Sequence, residues 1–240
     1  SPPRPALVVM ITVDQLRADQ LERFDPAFTG GFRRLRDRGI RYSQAWVDHA
    51  VTVSHPGHAT LATGLVPARH GIVDAAFCAG APGDRRRVDA LADPAERILG
   101  VEDQNGVSPR NFLAEPLIEW IRRSAPESRA VALGSGQYSS LLHAGRARGD
   151  VYWYSAQAGR YVTSTYYRSD YPEWVDRFNR DTLPRFLAEA RDWDNRVPEE
   201  ARVLARPDAI PFEADGVHTT FPHSLSDHLP PDRRDDPATL

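Results

Sequence analysis

Two positions in this 240-residue chain put a reactive side chain where catalysis could use it: Asp14 and Ser54. Asp14 follows the apolar, β-branched run ALVVMITV at 6–13, which predicts a buried, parallel, central strand. A carboxylate directly after such a strand stands outside the carboxyl end of the sheet, where open α/β folds place their ligands. Asp is also a favoured helix cap, and Asp14 would serve a segment starting at Gln15 equally well. Ser54 opens SHPGHATLATGLVPARHG at 54–71. Residues 59–63 are small and helix-compatible, Gly64 stops them, and Pro56 falls in the first turn, so Ser54 is predicted to cap a helix. A hydroxyl there lies among free backbone N–H groups and the positive end of the helix dipole. That setting stabilises an alkoxide and binds a phosphoryl or sulfuryl oxygen. Nucleophilic attack at neutral pH also needs a general base or a metal; without one, Ser54 is only a cap.

Three function classes compete on these residues. A Ser-His-Asp hydrolase is disfavoured because G-x-S-x-G is absent around Ser54. A metal-activated phosphoester hydrolase would hold Asp14 and Ser54 on one ion. The third class is a non-enzymatic binding module or an incomplete chain. Asp215, His218, His223, Asp227 and His228 add donors near the end of the chain, without regular spacing and in a loop-like context.

The elements that must position these residues alternate along the chain. After the strand at 6–13 come an amphipathic helix at 32–38 closed by Gly39 and a second strand at 40–47. The run NFLAEPLIEWIRR at 111–123 has helical spacing and a basic last turn, and Pro116 either kinks it or marks its true start. A buried strand is predicted at 129–133, a strand pair at 150–154 and 160–163, and helices at 174–179 and 183–193. Alternation of this kind argues for an α/β fold. Trp46, Trp120, Trp153 and Trp174 are expected in the core or partly buried. Beyond 206 the chain is rich in Pro, Asp and His and reads as loop.

Composition narrows the partners. Thirty basic against 33 acidic residues leave a charge of -3, which gives no basic field for a nucleic-acid backbone. Every basic residue is Arg, so anion contacts must come from Arg, His, backbone N–H groups or a metal. One Cys excludes an internal disulfide framework and a multi-cysteine zinc site. No apolar run approaches the ~20 residues of a membrane span.

Several segments together resemble the N-terminal part of the alkaline phosphatase superfamily, in its phosphate-irrepressible alkaline phosphatase and nucleotide pyrophosphatase/phosphodiesterase branch. They are ALVVMITVDQLRADQL at 6–21, GGFRRLRDRGI at 30–40, SHPGHATLATGLVPARHGIVD at 54–74, SPRNFL at 108–113, VYWYSAQAGRYVTSTYY at 151–167 and YPEWVDRFN at 171–179. The resemblance implies a three-layer α/β/α sandwich with a largely parallel central sheet, here incomplete. Residues 1–205 would be the N-terminal part of the catalytic domain, and 206–240 a loop-like segment leading onward. It implies hydrolysis of small-molecule phosphate esters through a covalent phosphoserine on Ser54, with two zinc ions and a periplasmic or secreted location. Asp14 and Ser54 match zinc ligands of the family, and Arg110 in SPRNFL is a candidate to hold a phosphoryl oxygen or a solvated residue at a helix start. His58 and His70 match positions that relatives do not use as ligands, and are expected to be structural.

Departures accompany the match. Relatives carry an Asn where this chain has Ala75, and two basic residues that fall on Gly136 and Tyr138, which weakens a monoesterase assignment and leaves diesters open. Sulfatases resemble the same segment but carry Arg at the position of His58. The Asp-x-x-x-His pair that helps complete the metal sites of relatives is absent here, so the chain alone is expected to be inactive. A sulfatase-like sulfuric ester hydrolase and a vestigial, non-catalytic binding domain are the alternatives.

Overall fold

The computed structural model describes residues 5–102, 105–189, 192–211 and 217–224. The chain divides into two compact units, one of Ser1–Ala45 and Arg180–Leu240 and the other of Trp46–Asn179. The first unit opens without the expected strand at 6–13: the segment is irregular, with Leu7 and Ile11 each 77% exposed. The reason is non-local. A strand's backbone groups must be paired by neighbouring strands, and no described strand pairs with this run. The same holds at 40–47, where Ile40 and Trp46 are more than four-fifths exposed. Helix α1 (Ala18–Arg23) is capped by Arg17, so Asp14 caps nothing there. Helix α2 (Gly31–Arg38) ends at Gly39 as its amphipathic pattern predicts.

The unit Trp46–Asn179 holds the main core. Helix α3 (Ser54–Thr63) stops at Gly64, whose φ of 69° is the left-handed geometry that glycine adopts freely. A short helix α4 (Pro67–His70) leads to the antiparallel pair β1 (Ala76–Ala79) and β2 (Arg86–Asp89). Helix α5 (Leu117–Ser124) starts immediately after Pro116, which settles the interrupted pattern in favour of a start rather than a kink. Strand β3 (Val131–Gly134), helix α6 (Gln137–Ala144) and strand β4 (Asp150–Ser155) form a β-α-β unit with β3 and β4 parallel. Strand β5 (Arg160–Val162) adds antiparallel to β4, as expected of the pair around 157–159. Helix α7 (Glu173–Arg177) follows.

The core gathers Ile72, Leu91, Phe112, Leu141, Val151 and Trp153. Fully burying such side chains contributes on the order of 1.5–3 kcal/mol each. One face of β3 is left open: Ala132 is buried while Val131 and Leu133 are 51% and 60% exposed, the alternation of a strand covered on one side. Of the four tryptophans expected in the core or partly buried, Trp153 is in the core and Trp46 is 81% exposed.

The remainder of the first unit holds helix α8 (Leu183–Glu189) and the short antiparallel pair β6 (Asp192–Trp193) and β7 (His223–Ser224). The helix expected at 183–193 therefore ends early. An apolar cleft there is lined by Phe24, Phe28, Phe32, Trp193 and Phe221.

Candidate active site

Ser54 is the first helical residue of α3, and the cap is Val53 in an extended conformation. The predicted capping role thus moves one residue back. The hydroxyl still stands on the first turn of a ten-residue helix, at the positive end of its dipole. The helix forms because 59–63 offers small residues that bury Ala59, Ala62 and Thr63 against the core.

The buried side of α3 meets α6 through histidines and one tyrosine. Nδ1 of His58 lies 3.1 Å from Nε2 of His143. The Tyr138 ring lies 4.9 Å from the ring of His55 and 5.3 Å, edge-on, from that of His58. Tyr138 and Gly136 are therefore at the end of α6 that borders the Ser54 helix. Ser139 secures this start: its hydroxyl donates to the Gly136 carbonyl at 2.7 Å and accepts the Gly136 N–H at 3.4 Å. Burial, with His58 close by, pulls the pKa of His143 down to about 4.

His70 is fully buried and its tautomer is fixed. Nδ1 accepts the Ile72 N–H at 3.2 Å, so Nε2 carries the proton and donates to the Thr60 hydroxyl at 3.1 Å. Burial, then the nearby His49, lower its pKa to about 4. This is the structural role expected of His70. Ala75 enters β1 with its carbonyl accepting the Ala90 N–H, and offers no side-chain donor.

Arg110 does not stand free in solvent. Its Nη1 donates to Asp93 at 3.1 Å, and its backbone N–H donates to the Ser108 hydroxyl at 3.2 Å. Ser108 in turn donates to Asp93 at 2.5 Å. Burial alone would raise the Asp93 carboxyl, but bonds from Ser108, the Ala95 N–H and Arg110 together hold it below its ordinary value. The guanidinium remains 53% exposed, which leaves its other nitrogens open to a ligand. Sequence reasoning missed Asp93, and the only local signal was a polar residue before Pro94.

Asp14 belongs to the other unit, in an exposed turn where Gln15 adopts a φ of 58°. No group of three or more metal-binding His, Cys, Asp or Glu occurs among the described residues. Of the five donors near the chain end, Asp215, Asp227 and His228 lie outside the described residues, while His218 and His223 stack with ring centroids 5.1 Å apart. The two expected ligands, Asp14 and Ser54, would by themselves offer two oxygen donors, short of the roughly three protein ligands that a catalytic zinc needs. The described residues thus do not complete a zinc site.

Comparison with known proteins supplies the context for this arrangement. The chain is 31% identical over 226 residues to alkaline phosphatase PhoV of Synechococcus elongatus, covering 92% of this chain and 40% of PhoV. It is 30% identical over 229 residues to a calcium-transporting ATPase of Myroides odoratus, covering 92% of the chain and 41% of that protein. It is also 30% identical over 216 residues to alkaline phosphatase PafA of Elizabethkingia meningoseptica, covering 88% of the chain and 39% of PafA. The chain thus spans about two-fifths of the length of these relatives. The crystal structure of wild-type PafA matches with a TM-score of 0.80 at 29% identity, over 89% of this chain and 41% of PafA. A PafA mutant with four substitutions matches with the same TM-score of 0.80 at 30% identity. The fold is therefore that of an alkaline phosphatase. A sequence model described as type I phosphodiesterase / nucleotide pyrophosphatase matches residues 8–223, and the chain belongs to that family, within the alkaline phosphatase superfamily.

Proposed function

We propose that the intact protein hydrolyses phosphate esters with Ser54 as the nucleophile, through a covalent phosphoserine. The observation that carries this reading is the position of Ser54 on the first turn of α3, within a fold that matches an alkaline phosphatase. In the reaction the Ser54 oxygen bonds to phosphorus as the ester oxygen leaves. Water then attacks the phosphoserine, releasing phosphate or a phosphomonoester and restoring the hydroxyl. Amides of the first turn of α3 donate to the phosphoryl oxygens, and the half-exposed Arg110 has nitrogens left for the same role. Two zinc ions are the expected cofactors; bound, they lower the pKa of a coordinated hydroxyl and stabilise the leaving oxygen. Asp14 and Ser54 are this chain's ligands for them. Two ligands fall short of the roughly three that a catalytic zinc needs, so this chain alone is proposed to be inactive.

The substrate preference is drawn from three positions, Ala75, Gly136 and Tyr138. Ala75 has no amide side chain, and Gly136 and Tyr138 bring no positive charge to the start of α6. A dianionic monoester would lack counter-charge there, whereas a monoanionic diester needs less. We therefore assign diesters as the better substrates. Residues 1–205 form the N-terminal part of the catalytic domain and 206–240 lead out of it, and the protein acts in the periplasm or outside the cell.

The test is the Ser54→Ala change in the intact protein, assayed on a nitrophenyl monoester and a bis-nitrophenyl diester. Turnover should fall by at least about a thousandfold on both. Retained activity would remove Ser54 from the mechanism, and a wild-type preference for the monoester would overturn the diester assignment.

A further inference from the structure

We propose that the hydrogen bond between His58 and His143 is a positioning contact: it fixes the register of α3 against α6 and so sets where Ser54 stands relative to Gly136 and Tyr138. The consequence for Ser54 rests on its reading as the nucleophile; the contact itself does not.

The two helices meet through buried residues that specify register weakly. Helix α3 buries Pro56, Ala59, Ala62 and Thr63, and α6 buries Ser140, Leu141, Leu142 and Ala144. Apolar burial is non-directional, so it specifies the register of two helices less sharply than a hydrogen bond between two fixed atoms does. Each helix has an anchor outside their mutual contact: on α3 the Thr60 hydroxyl accepts from Nε2 of His70 at 3.1 Å. The Ser140 hydroxyl donates to the Tyr152 carbonyl at 2.6 Å, which ties α6 to β4. What remains is to tie α3 to α6, and a buried polar pair does this because it tolerates one register.

The His58–His143 pair has the required properties. His58 is 4% exposed, one turn along α3 from Ser54. The nitrogens are 3.1 Å apart and the rings nearly perpendicular, at 85°. Two neutral imidazoles share one N–H at that distance, with one nitrogen donating and the other accepting. Burial disfavours a charge on His143, which keeps the pair in this neutral form. Sliding α3 by a single residue would carry His58 about 1.5 Å along the axis and break the bond, so that the buried His58 Nδ1 loses its partner on the half-buried His143. Tyr138, against both His55 and His58, moves with the same register.

The experiment uses this chain labelled with nitrogen-15 in histidine, at neutral pH. The expected result is a through-hydrogen-bond nitrogen–nitrogen coupling joining Nδ1 of His58 to Nε2 of His143; its absence overturns the proposal. Two variants then separate positioning from simple packing. His143→Gln keeps a polar atom near the Nε2 position, and His143→Leu removes it at similar bulk. The Gln variant should retain the amide resonances of Ser54 and Gly136 and the hydrogen-exchange protection of α3. The Leu variant should shift both resonances and speed exchange in α3 by about tenfold or more. Identical behaviour of Gln and Leu overturns the proposal even if the coupling is present. If the Leu variant does not fold, the wild-type coupling together with retention in the Gln variant decides. No turnover is measured, so loss of the Ser54 mechanism would leave this result standing, and loss of the coupling would leave the Ser54→Ala assay intact.

Discussion

Asp93 is 8% exposed yet carries hydrogen bonds from Ser108, Arg110 and the Ala95 N–H. Removing one member of such a network costs more than the bonds themselves, because the other members stay buried and unpaired. Asp93→Ala should therefore destabilise the chain by about 3 kcal/mol, while Arg110→Ala, at the half-exposed end, should cost under about 1 kcal/mol. Urea unfolding of both variants checks the ranking, and equal losses would refute it. Protonation acts on the same scale and in two stages. His70 and His143 have folded pKa values of about 4 against 6.5 when unfolded. Above 6.5 both states are neutral and nothing is lost. As pH falls from 6.5 towards 4 the unfolded chain takes up protons that the folded chain refuses, so stability declines by up to about 1.4 kcal/mol per pH unit for each group. Asp93 has its folded pKa depressed below 3.8, so its contribution is present above that value and is lost only at lower pH. A plot of midpoint temperature against pH should fall first through the histidine window. A plateau from 6.5 down to 4 would contradict the assignment.

At the scale of elements, punctuation was more legible than pairing. Gly64 and Pro116 mark a helix end and a helix start as their backbone chemistry requires, and the strand pair β4–β5 follows from its aromatic runs and the intervening turn. The strands at 6–13 and 40–47 did not form, because an apolar β-branched run records only that a segment avoids water. Its hydrogen-bonding neighbours are set by distant sequence. The same limit hid the His58–His143 contact, whose partners are 85 residues apart with no spacing to link them. Candidate site residues were readable one by one, from residue type and motif, but the network around Arg110 was not. Two glycines test how far local chemistry reaches. Gly64 and Gly71 both have positive φ, at 69° and 84°. A Cβ at Gly64 would meet nothing within 4 Å, whereas one at Gly71 would lie 2.8 Å from Leu113 Cγ and 3.0 Å from the Asn111 carbonyl oxygen. Gly64→Ala should cost about 1 kcal/mol of backbone strain, and Gly71→Ala clearly more, since the Asn111 backbone must move. Equal losses in thermal unfolding would show that the Asn111–Leu113 segment yields freely.

The molecule as a whole shows apolar surface that a folded chain seldom leaves in water. Leu7, Val9 and Ile11 are each at least 66% exposed in the first unit, as are Ile40 and Tyr42. In the unit Trp46–Asn179 the open face of β3 adds Val131 and Leu133. Exposed apolar side chains in such number are the kind that other protein covers, and the chain spans about 40% of PhoV. Two consequences are measurable on this chain alone. Limited proteolysis should cut first near 6–13 and 40–47, where described backbone is irregular and exposed, and leave a resistant core containing α3 and β3–β5. Elemental analysis after dialysis should find well below one zinc per chain, because two oxygen donors do not hold the ion. The two results constrain each other. A resistant core without zinc means a folded scaffold with too few metal ligands of its own, which is the reading proposed above. Two tightly held zinc ions would instead mean that donors outside the described residues, such as Asp227 and His228, complete the sites, and the proposed inactivity of this chain would be wrong.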